Sequence, residues 1–206
     1  MRWRRKSRGE VGWAANQGRM LSVIIATLNS ERPLLPTLAA LVPGATAGLV
    51  SEVLIADGGS RDDTAAVADI AGCNFLALPD SLGRRLNAAA RAARAPWLTF
   101  LRPGIVPDTP WTAEVRGFVE QASNFGRAAV FRRSVPAQSG LRDALMMIAN
   151  ALGTLPRPEQ GLIIAKEFHR QFGGHSESAA DPEADLIRRI GRQRIATLST
   201  GVFAAG

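Results

Sequence analysis

The chain has 206 residues, of which 46% are hydrophobic and 21% are charged. This composition is typical of a globular domain and excludes a disordered, collagenous or coiled-coil protein. The single cysteine, Cys73, excludes an internal disulfide framework and a cysteine-rich zinc module, and a reducing cytoplasmic compartment is the simplest match. No apolar run approaches the roughly 18 residues that a membrane-spanning helix requires.

The formal net charge of +7 would by itself suggest a nucleic-acid-binding protein, but the charge is unevenly placed. Residues 1–19 hold six basic side chains and one acid, so the rest of the chain carries only +2. We interpret residues 1–19 as a leader with three alternatives: a basic arm for a membrane surface or nucleic acid, a targeting peptide, or a disordered tail upstream of a true start at Met20. Nucleic-acid binding is not expected of the domain at 20–206.

Buried strands and amphipathic helices alternate through the first half of the chain. Strands are predicted at 21–27, 52–56, 74–78 and 97–101, with helices beginning near residues 30, 62 and 81. The first helix is expected to stop at Pro43-Gly44. Strands that alternate with helices in this way are typical of βα units on a mostly parallel sheet.

The second half of the chain is less regular. It predicts helices at 111–121, 141–152, 166–172 and 183–190, and strands at 128–133, 162–165 and 195–198. The sequence contains no internal repeat, and no linker lies between the two halves. We therefore predict one α/β domain.

The second predicted strand ends in the sequence Asp57-Gly58-Gly59-Ser60. Ligands of open parallel sheets bind beyond the carboxyl ends of the strands, where glycines allow close approach and a carboxylate accepts hydrogen bonds. The same residues also fit a turn that caps the next helix. The Rossmann and P-loop glycine fingerprints are absent from the sequence.

Several motifs in one order resemble the inverting family 2 glycosyltransferases of the GT-A fold, and most closely a small bacterial subgroup. They read SVIIATLNSERPLLPTLAALV from residue 22, EVLIADGGSRDDT from 52, GRRLNAAARAARAPWLTFL from 83, PEQGLIIAKEFHRQFGGHSE from 158 and DPEADLIRRIGRQRIATL from 181. The resemblance covers residues 21–203. It implies a Rossmann-like GT-A domain with a nucleotide-binding half at 21–105 and an acceptor half at 106–206.

The resemblance also implies a reaction, in which a hexosyltransferase moves a sugar from a nucleoside diphosphate to an acceptor hydroxyl with inversion. The acceptor is not named by the sequence, and a lipid at the inner membrane face is one candidate for a peripheral cytoplasmic enzyme. By position, the resemblance implies contacts with the nucleobase for Ala26 and Thr27 and with the nucleoside for Asp57 and Gly58. It places Arg84 and Asn87 in the segment that faces the donor, where Arg84 would hold the diphosphate, and it implies that Glu183 is the general base.

The chain departs from the family pattern where the metal-binding aspartate is expected. That position is Gly104, so no metal ligand is predicted, although the family usually uses Mg²⁺ or Mn²⁺. Arg102 offers a fixed cation in place of the metal. Glu183 stands where the family has aspartate, and the same residue also fits the first turn of a helix. These departures leave a second hypothesis open, namely a glycosyltransferase-like binding or scaffold protein without turnover.

Overall fold

The computed structural model describes residues 20–134 and 155–205, so the predicted leader at 1–19 and the predicted helix at 141–152 lie outside the described residues. The strands are β1 (Leu21–Thr27), β2 (Val50–Asp57), β3 (Asn74–Ala77), β4 (Trp97–Leu101), β5 (Ile105–Pro107), β6 (Ala128–Arg133), β7 (Leu162–Ala165) and β8 (Ile195–Ala204). The helices are α1 (Glu31–Thr46), α2 (Thr64–Ile70), α3 (Leu82–Ala92), α4 (Trp111–Val119), α5 (Lys166–Gln171) and α6 (Pro182–Ile190). Short 3₁₀ turns lie at Ala122–Gly126, Pro158–Gln160 and Arg192–Arg194.

The strands form a single sheet in the order β3-β2-β1-β4-β7-β6-β8-β5. β1 pairs in parallel with β2 and β4, β2 with β3, and β6 with β8, whereas β7 runs antiparallel to both β4 and β6. The mostly parallel α/β sheet predicted from the sequence is therefore confirmed. The chain moves outward from β1 to β3 and then returns to β4 on the other side of β1. Because ligands of open α/β sheets bind at such a reversal, a ligand crevice is expected at the carboxyl ends of β1 and β4.

Helices cover both faces of the parallel strands. Right-handed crossovers place α1 and α2 on one face and α3 on the other, because the direction of strand addition reverses after β3. The strand residues are apolar on both faces, as expected for a covered parallel sheet. Trp97 and Phe100 of β4 are almost completely buried, and each stabilises the fold by roughly 1.5–3 kcal/mol or more relative to an exposed side chain.

The prediction that α1 ends at Pro43-Gly44 is wrong, because the helix continues to Thr46. The backbone beyond the proline remains helical, with Ala47 N–H donating to the Pro43 carbonyl at 2.9 Å. Gly44 lies against the ring of Trp111, and the Trp111 indole N–H donates to the Ala40 carbonyl at 3.0 Å. Packing between distant segments has overridden a local stop signal.

The last strand is also longer than predicted, and β5 was not predicted at all. Residues 195–204 form β8 because β6 and β5 pair with different parts of it. β5 has only three residues, one of them Pro107, and it exists through its antiparallel pairing to residues 202–204. Local propensity alone does not indicate such a strand.

Within residues 20–134 and 155–205, no helix combines the length and the apolar character needed to cross a lipid bilayer.

Candidate active site

Asp57 ends β2 at the carboxyl edge of the sheet, and its carboxylate holds the loop that follows. Oδ2 accepts hydrogen bonds from the backbone N–H groups of Gly59 and Ser60, both at 2.8 Å. Oδ1 accepts from the hydroxyls of Thr27, at 2.8 Å, and of Ser60. Burial by itself raises the pKa of Asp57, but these hydrogen bonds outweigh it and hold the pKa below its ordinary value. Nucleoside contacts for Asp57, Thr27 and the half-buried Ala26 stay predictions.

Two adjacent arginines at the start of α3 have opposite environments. Arg84 is exposed and pairs with Glu177 at 2.8 Å and with Asp80 at 3.3 Å. Arg85 is buried, and its guanidinium lies under the ends of β1 and β2 against Gly58. Arg84 is therefore solvated, as is usual at the start of a helix, whereas Arg85 is not. The diphosphate contact assigned to Arg84 stays a prediction. In the structure, the Arg84 guanidinium forms exposed ion pairs with Asp80 and Glu177.

Asn87 anchors the glycine loop that follows α5. Its amide donates to the carbonyl of His175 and its oxygen accepts from the His175 N–H, both at 2.8 Å. The preceding Gly174 has φ +68°, and a Cβ there would collide with the Asn87 oxygen, so both backbone conformation and space require glycine. Both polar atoms of the Asn87 side chain are hydrogen-bonded to this loop. The predicted contact of Asn87 with the nucleotide-sugar donor would compete with these bonds.

The two histidines form a buried pair beneath the site. His169 Nε2 lies 3.1 Å from His175 Nδ1, and both rings pack against Phe100. Burial, together with the charge of Arg189, lowers the pKa of His169 to about 4. The pKa of His175 is lowered well below its ordinary value by burial first and then by His169 and Arg189. Both rings are therefore neutral near pH 7 and act in packing.

Arg102 follows β4 directly and gathers three carboxylates at the crevice. Its Nε donates to Glu183 Oε2 at 2.6 Å, and its Nη2 donates to both oxygens of Asp181 at 3.0 and 3.1 Å. Nη1 donates to Glu159 at 3.2 Å. Three acids around one guanidinium leave a local charge of −2. Side chains separated by about 80 residues in the chain thus meet at the end of β4.

Glu183 lies in the first turn of α6, where Pro182 begins the helix and Asp181 caps it by accepting from the Ala184 N–H at 3.0 Å. Its side chain is only 9% exposed. Burial raises the pKa of Glu183, and the ion pair with Arg102 opposes that rise without cancelling it. The interpretation of Glu183 as part of a helix start is therefore confirmed, and its role as the general base stays a prediction.

The residues at the expected metal position do not fit Mg²⁺ or Mn²⁺. Gly104 has no side chain and a φ of +88°, and its N–H donates to both the Pro33 carbonyl and the Thr37 hydroxyl. The carboxylates of Glu159, Asp181 and Glu183 are each already paired with the Arg102 guanidinium, which lies between them where a metal ion would have to lie. Among the described residues, no group of three or more histidine, cysteine or acidic side chains has the geometry of a metal site.

Sequence reasoning missed Arg85 as a buried residue of the site and did not pair Arg102 with Asp181 or Glu159. Arg85 carries no local signal, because consecutive arginines in a helix start are usually solvated. The signal for Asp181 was its place before Pro182, a helix-cap pattern. Its second bond, to Arg102, required the fold.

Comparisons with known proteins agree with the fold. Residues 22–102 match the family model of Glycosyl transferase family 2. Among solved structures, the chain is similar to glucosyl-3-phosphoglycerate synthase from Mycobacterium tuberculosis in complex with Mn²⁺, UDP and glucosyl-3-phosphoglycerate, with 21% identity, a TM-score of 0.68, and 100% of this chain and 79% of that chain covered. The search of curated proteins found no match.

Two further structures are similar at the level of the fold. One is the same synthase in complex with Mn²⁺ and UDP-glucose, at 20% identity and a TM-score of 0.68, covering 94% of this chain and 73% of that chain. The other is described as a mycobacterial protein, at 22% identity and a TM-score of 0.65, covering 94% and 70%. Residues 22–102 thus match the model of Glycosyl transferase family 2, and the chain as a whole has the GT-A fold.

Proposed function

We propose that the protein is an inverting glycosyltransferase that moves a sugar from a nucleoside-diphosphate donor to an acceptor hydroxyl. The observation that carries the proposal is the buried Glu183 at the sheet edge, 2.6 Å from Arg102. A sheltered carboxylate with a raised pKa beside a ligand crevice is the environment expected of a general base. The complexes of the similar synthase with UDP and UDP-glucose support a donor of this class.

The reaction we propose is a direct displacement with Glu183 as the base. Glu183 accepts the proton of the acceptor hydroxyl while the acceptor oxygen bonds to the anomeric carbon. The bond from that carbon to the diphosphate oxygen breaks at the same time, and the nucleoside diphosphate leaves with the electron pair. Among the described residues, Glu183 Oε1 makes no hydrogen bond, so one oxygen is available for the proton while Oε2 stays on Arg102.

Arg102 has one task in this proposal, which is to hold Glu183 in position through the Nε bond. Its guanidinium is paired with three carboxylates, so replacement of the metal charge by Arg102 stays a prediction. No step is assigned to a metal ion, because the residues at Gly104 and around Arg102 do not fit one. We place the donor in the half at 21–105 and the acceptor in the half at 106–206, with a membrane-surface lipid as a candidate acceptor for a peripheral cytoplasmic enzyme.

The substitution Glu183→Gln tests the base. Removing the proton acceptor while keeping the side-chain shape should lower kcat about 10²- to 10⁴-fold. The affinity for the nucleoside diphosphate should stay within a few-fold, because the base acts on the acceptor. Turnover would be followed by release of the nucleoside diphosphate, and affinity by calorimetric titration.

Glu52→Gln is the matched control, since Glu52 is also a glutamate in an ion pair, with Arg94 at 3.0 Å, but it lies at the opposite edge of the sheet. This control should keep its kcat while losing some stability. Equal loss of turnover in both variants would contradict the assignment of Glu183.

A second candidate function is a nucleotide-binding protein without turnover. Gly104, with its positive φ and no carboxylate, favours it, as does the engagement of Glu183 by Arg102. Nucleotide binding by the wild-type chain without release of product from any nucleotide-sugar would support this candidate over the first.

A further inference from the structure

In the part of the chain that the structure describes, Arg85 is held at the ends of β1 and β2 by one of its three nitrogens. Nη1 donates to the carbonyl of Thr27 at 2.7 Å and to the carbonyl of Ala56 at 3.1 Å. The residue is 8% exposed. These two carbonyls belong to neighbouring parallel strands, so the guanidinium is fixed directly beneath the edge of the sheet where ligands of this fold class bind.

Gly58 makes this position of the guanidinium possible. A Cβ on Gly58 would lie 2.8 Å from Nη1 and 2.9 Å from Cζ of Arg85. The arginine therefore occupies the space that the side chain of residue 58 would need. Contact with the Arg85 guanidinium thus explains why residue 58 is a glycine.

The other two nitrogens of Arg85 form an unused pair of donors. Among residues 20–134 and 155–205, the buried Nε has no hydrogen-bond partner and Nη2 makes no hydrogen bond. Nε–H and one N–H of Nη2 point in parallel from the side of a guanidinium, in the geometry that suits two adjacent acceptor atoms. Leaving a buried charged donor without a partner is costly, so such a pair indicates an acceptor that arrives from outside.

Asp57 does not satisfy this pair, although its charge favours the charged form of Arg85. Both oxygens of its carboxylate already accept two hydrogen bonds each, from Thr27, Gly59 and Ser60. No salt bridge joins Asp57 to Arg85 among the described residues. The nearest opposite charge is therefore committed to the loop.

We propose that Nε and Nη2 of Arg85 together bind two adjacent acceptor atoms of the donor nucleotide, which makes Arg85 a donor-binding residue of this site. The inference rests on the proposed function. Two parts of a nucleotide offer such a pair of atoms: two oxygens of the diphosphate, or the edge of a base such as guanine O6 and N7. The exposed and paired Arg84 offers no comparable buried donors.

The test is a calorimetric titration of the full chain with UDP, GDP, inorganic pyrophosphate and guanosine. Arg85→Lys keeps the positive charge and loses the parallel donors, and should weaken binding of the nucleotides about 10- to 100-fold. A loss that extends to pyrophosphate identifies the diphosphate as the partner. A loss for GDP and guanosine with unchanged pyrophosphate affinity identifies the base.

Gly58→Ala provides a second variant that leaves Arg85 itself intact. Its φ lies outside the left-handed region, so alanine suits the backbone, but the new Cβ must displace the guanidinium. We expect the same loss of affinity. Arg91→Lys, on the exposed side of the same helix, is the control that should bind like wild type.

The outcomes separate this inference from the proposed function. Wild-type chain that binds none of the probes overturns both. Wild-type chain that binds them, with Arg85→Lys and Gly58→Ala binding equally well, overturns only the role of Arg85. A purely structural arginine would lower the Tm of these variants while leaving the dissociation constants of the folded protein unchanged. Loss of affinity in Arg84→Lys alone would assign the contact to the neighbouring arginine and overturn the inference.

Discussion

Asp57 accepts four hydrogen bonds from its own chain, so its carboxylate is part of the fold before any ligand binds. The sequence motif correctly marks the residue as an acceptor at a strand end. Which donors it meets depends on Thr27 of the neighbouring strand and on the turn of the loop. A carboxylate in this position shapes the crevice by fixing Gly59 and Ser60.

The substitution Asp57→Asn should therefore act mainly on stability. Loss of the charge from a fully bonded buried carboxylate should lower the free energy of unfolding by about 1–3 kcal/mol, measured by urea denaturation. The nucleotide dissociation constant of the folded protein should change less than about threefold. Asp63→Asn, on the same loop with no side-chain cap hydrogen bond, is the control. Unchanged stability with a tenfold weaker nucleotide affinity would contradict this expectation and support the predicted nucleoside contact of Asp57.

Single elements show how packing overrides local signals. α1 passes through Pro43 and Gly44, both helix breakers, because Trp111 of α4 packs directly on Gly44. The indole N–H also bonds to the Ala40 carbonyl of α1. The contact joins the two helices on one face of the sheet, so the glycine is required by the neighbouring helix and not by the helix in which it lies.

Two glycine-to-alanine substitutions in helices should change the stability of the protein in opposite directions. At Gly44 a Cβ would lie 2.5 Å from the Trp111 ring, so Gly44→Ala should destabilise the protein by about 1–3 kcal/mol. At Gly117, in α4, no atom of the described residues lies within 4 Å of the new Cβ, and Gly117→Ala should stabilise the protein by about 0.5–1 kcal/mol. Thermal unfolding measures both. Stabilisation by Gly44→Ala would show that Trp111 does not pack on this position.

At the scale of the whole molecule, the fold buries two neutral histidines that come from α5 and the glycine loop. The pKa of His169 falls to about 4 from an ordinary value near 6.5, so the unfolded chain binds more protons than the folded chain between those values. The contribution of the neutral His169 to the free energy of unfolding is therefore present above pH 6.5 and is lost as the pH falls toward 4. Glu183 acts in the opposite direction, because its raised pKa makes its protonation favour the folded state.

Acidification from pH 6.5 to 5 should lower the free energy of unfolding by about 2 kcal/mol through His169 alone, and by more when His175 is included. Urea denaturation at a series of pH values measures this slope. His169→Gln should make the free energy of unfolding less dependent on pH, since one of the two titrating groups is removed. A stability that does not change over this range would contradict the burial of the neutral pair.

The order of strands and helices in the first half of the chain could be predicted from the sequence, because apolar periodicity and turn residues act over a few neighbours. The candidate positions at the strand ends followed from the same pattern and from the family resemblance. The extent of α1, the pairing of β5 with β8 and the burial of Arg85 could not be predicted, because each depends on a contact with a distant segment.

The sequence by itself therefore determined the α/β alternation, the absence of a carboxylate at Gly104 and the candidate base Glu183. Only the tertiary structure decided that Arg102 would meet Glu159, Asp181 and Glu183, and that Arg85 rather than Arg84 would lie under the strand ends. The physical reason is that ion pairs and burial depend on distances in space, which the separation of residues along the chain does not encode.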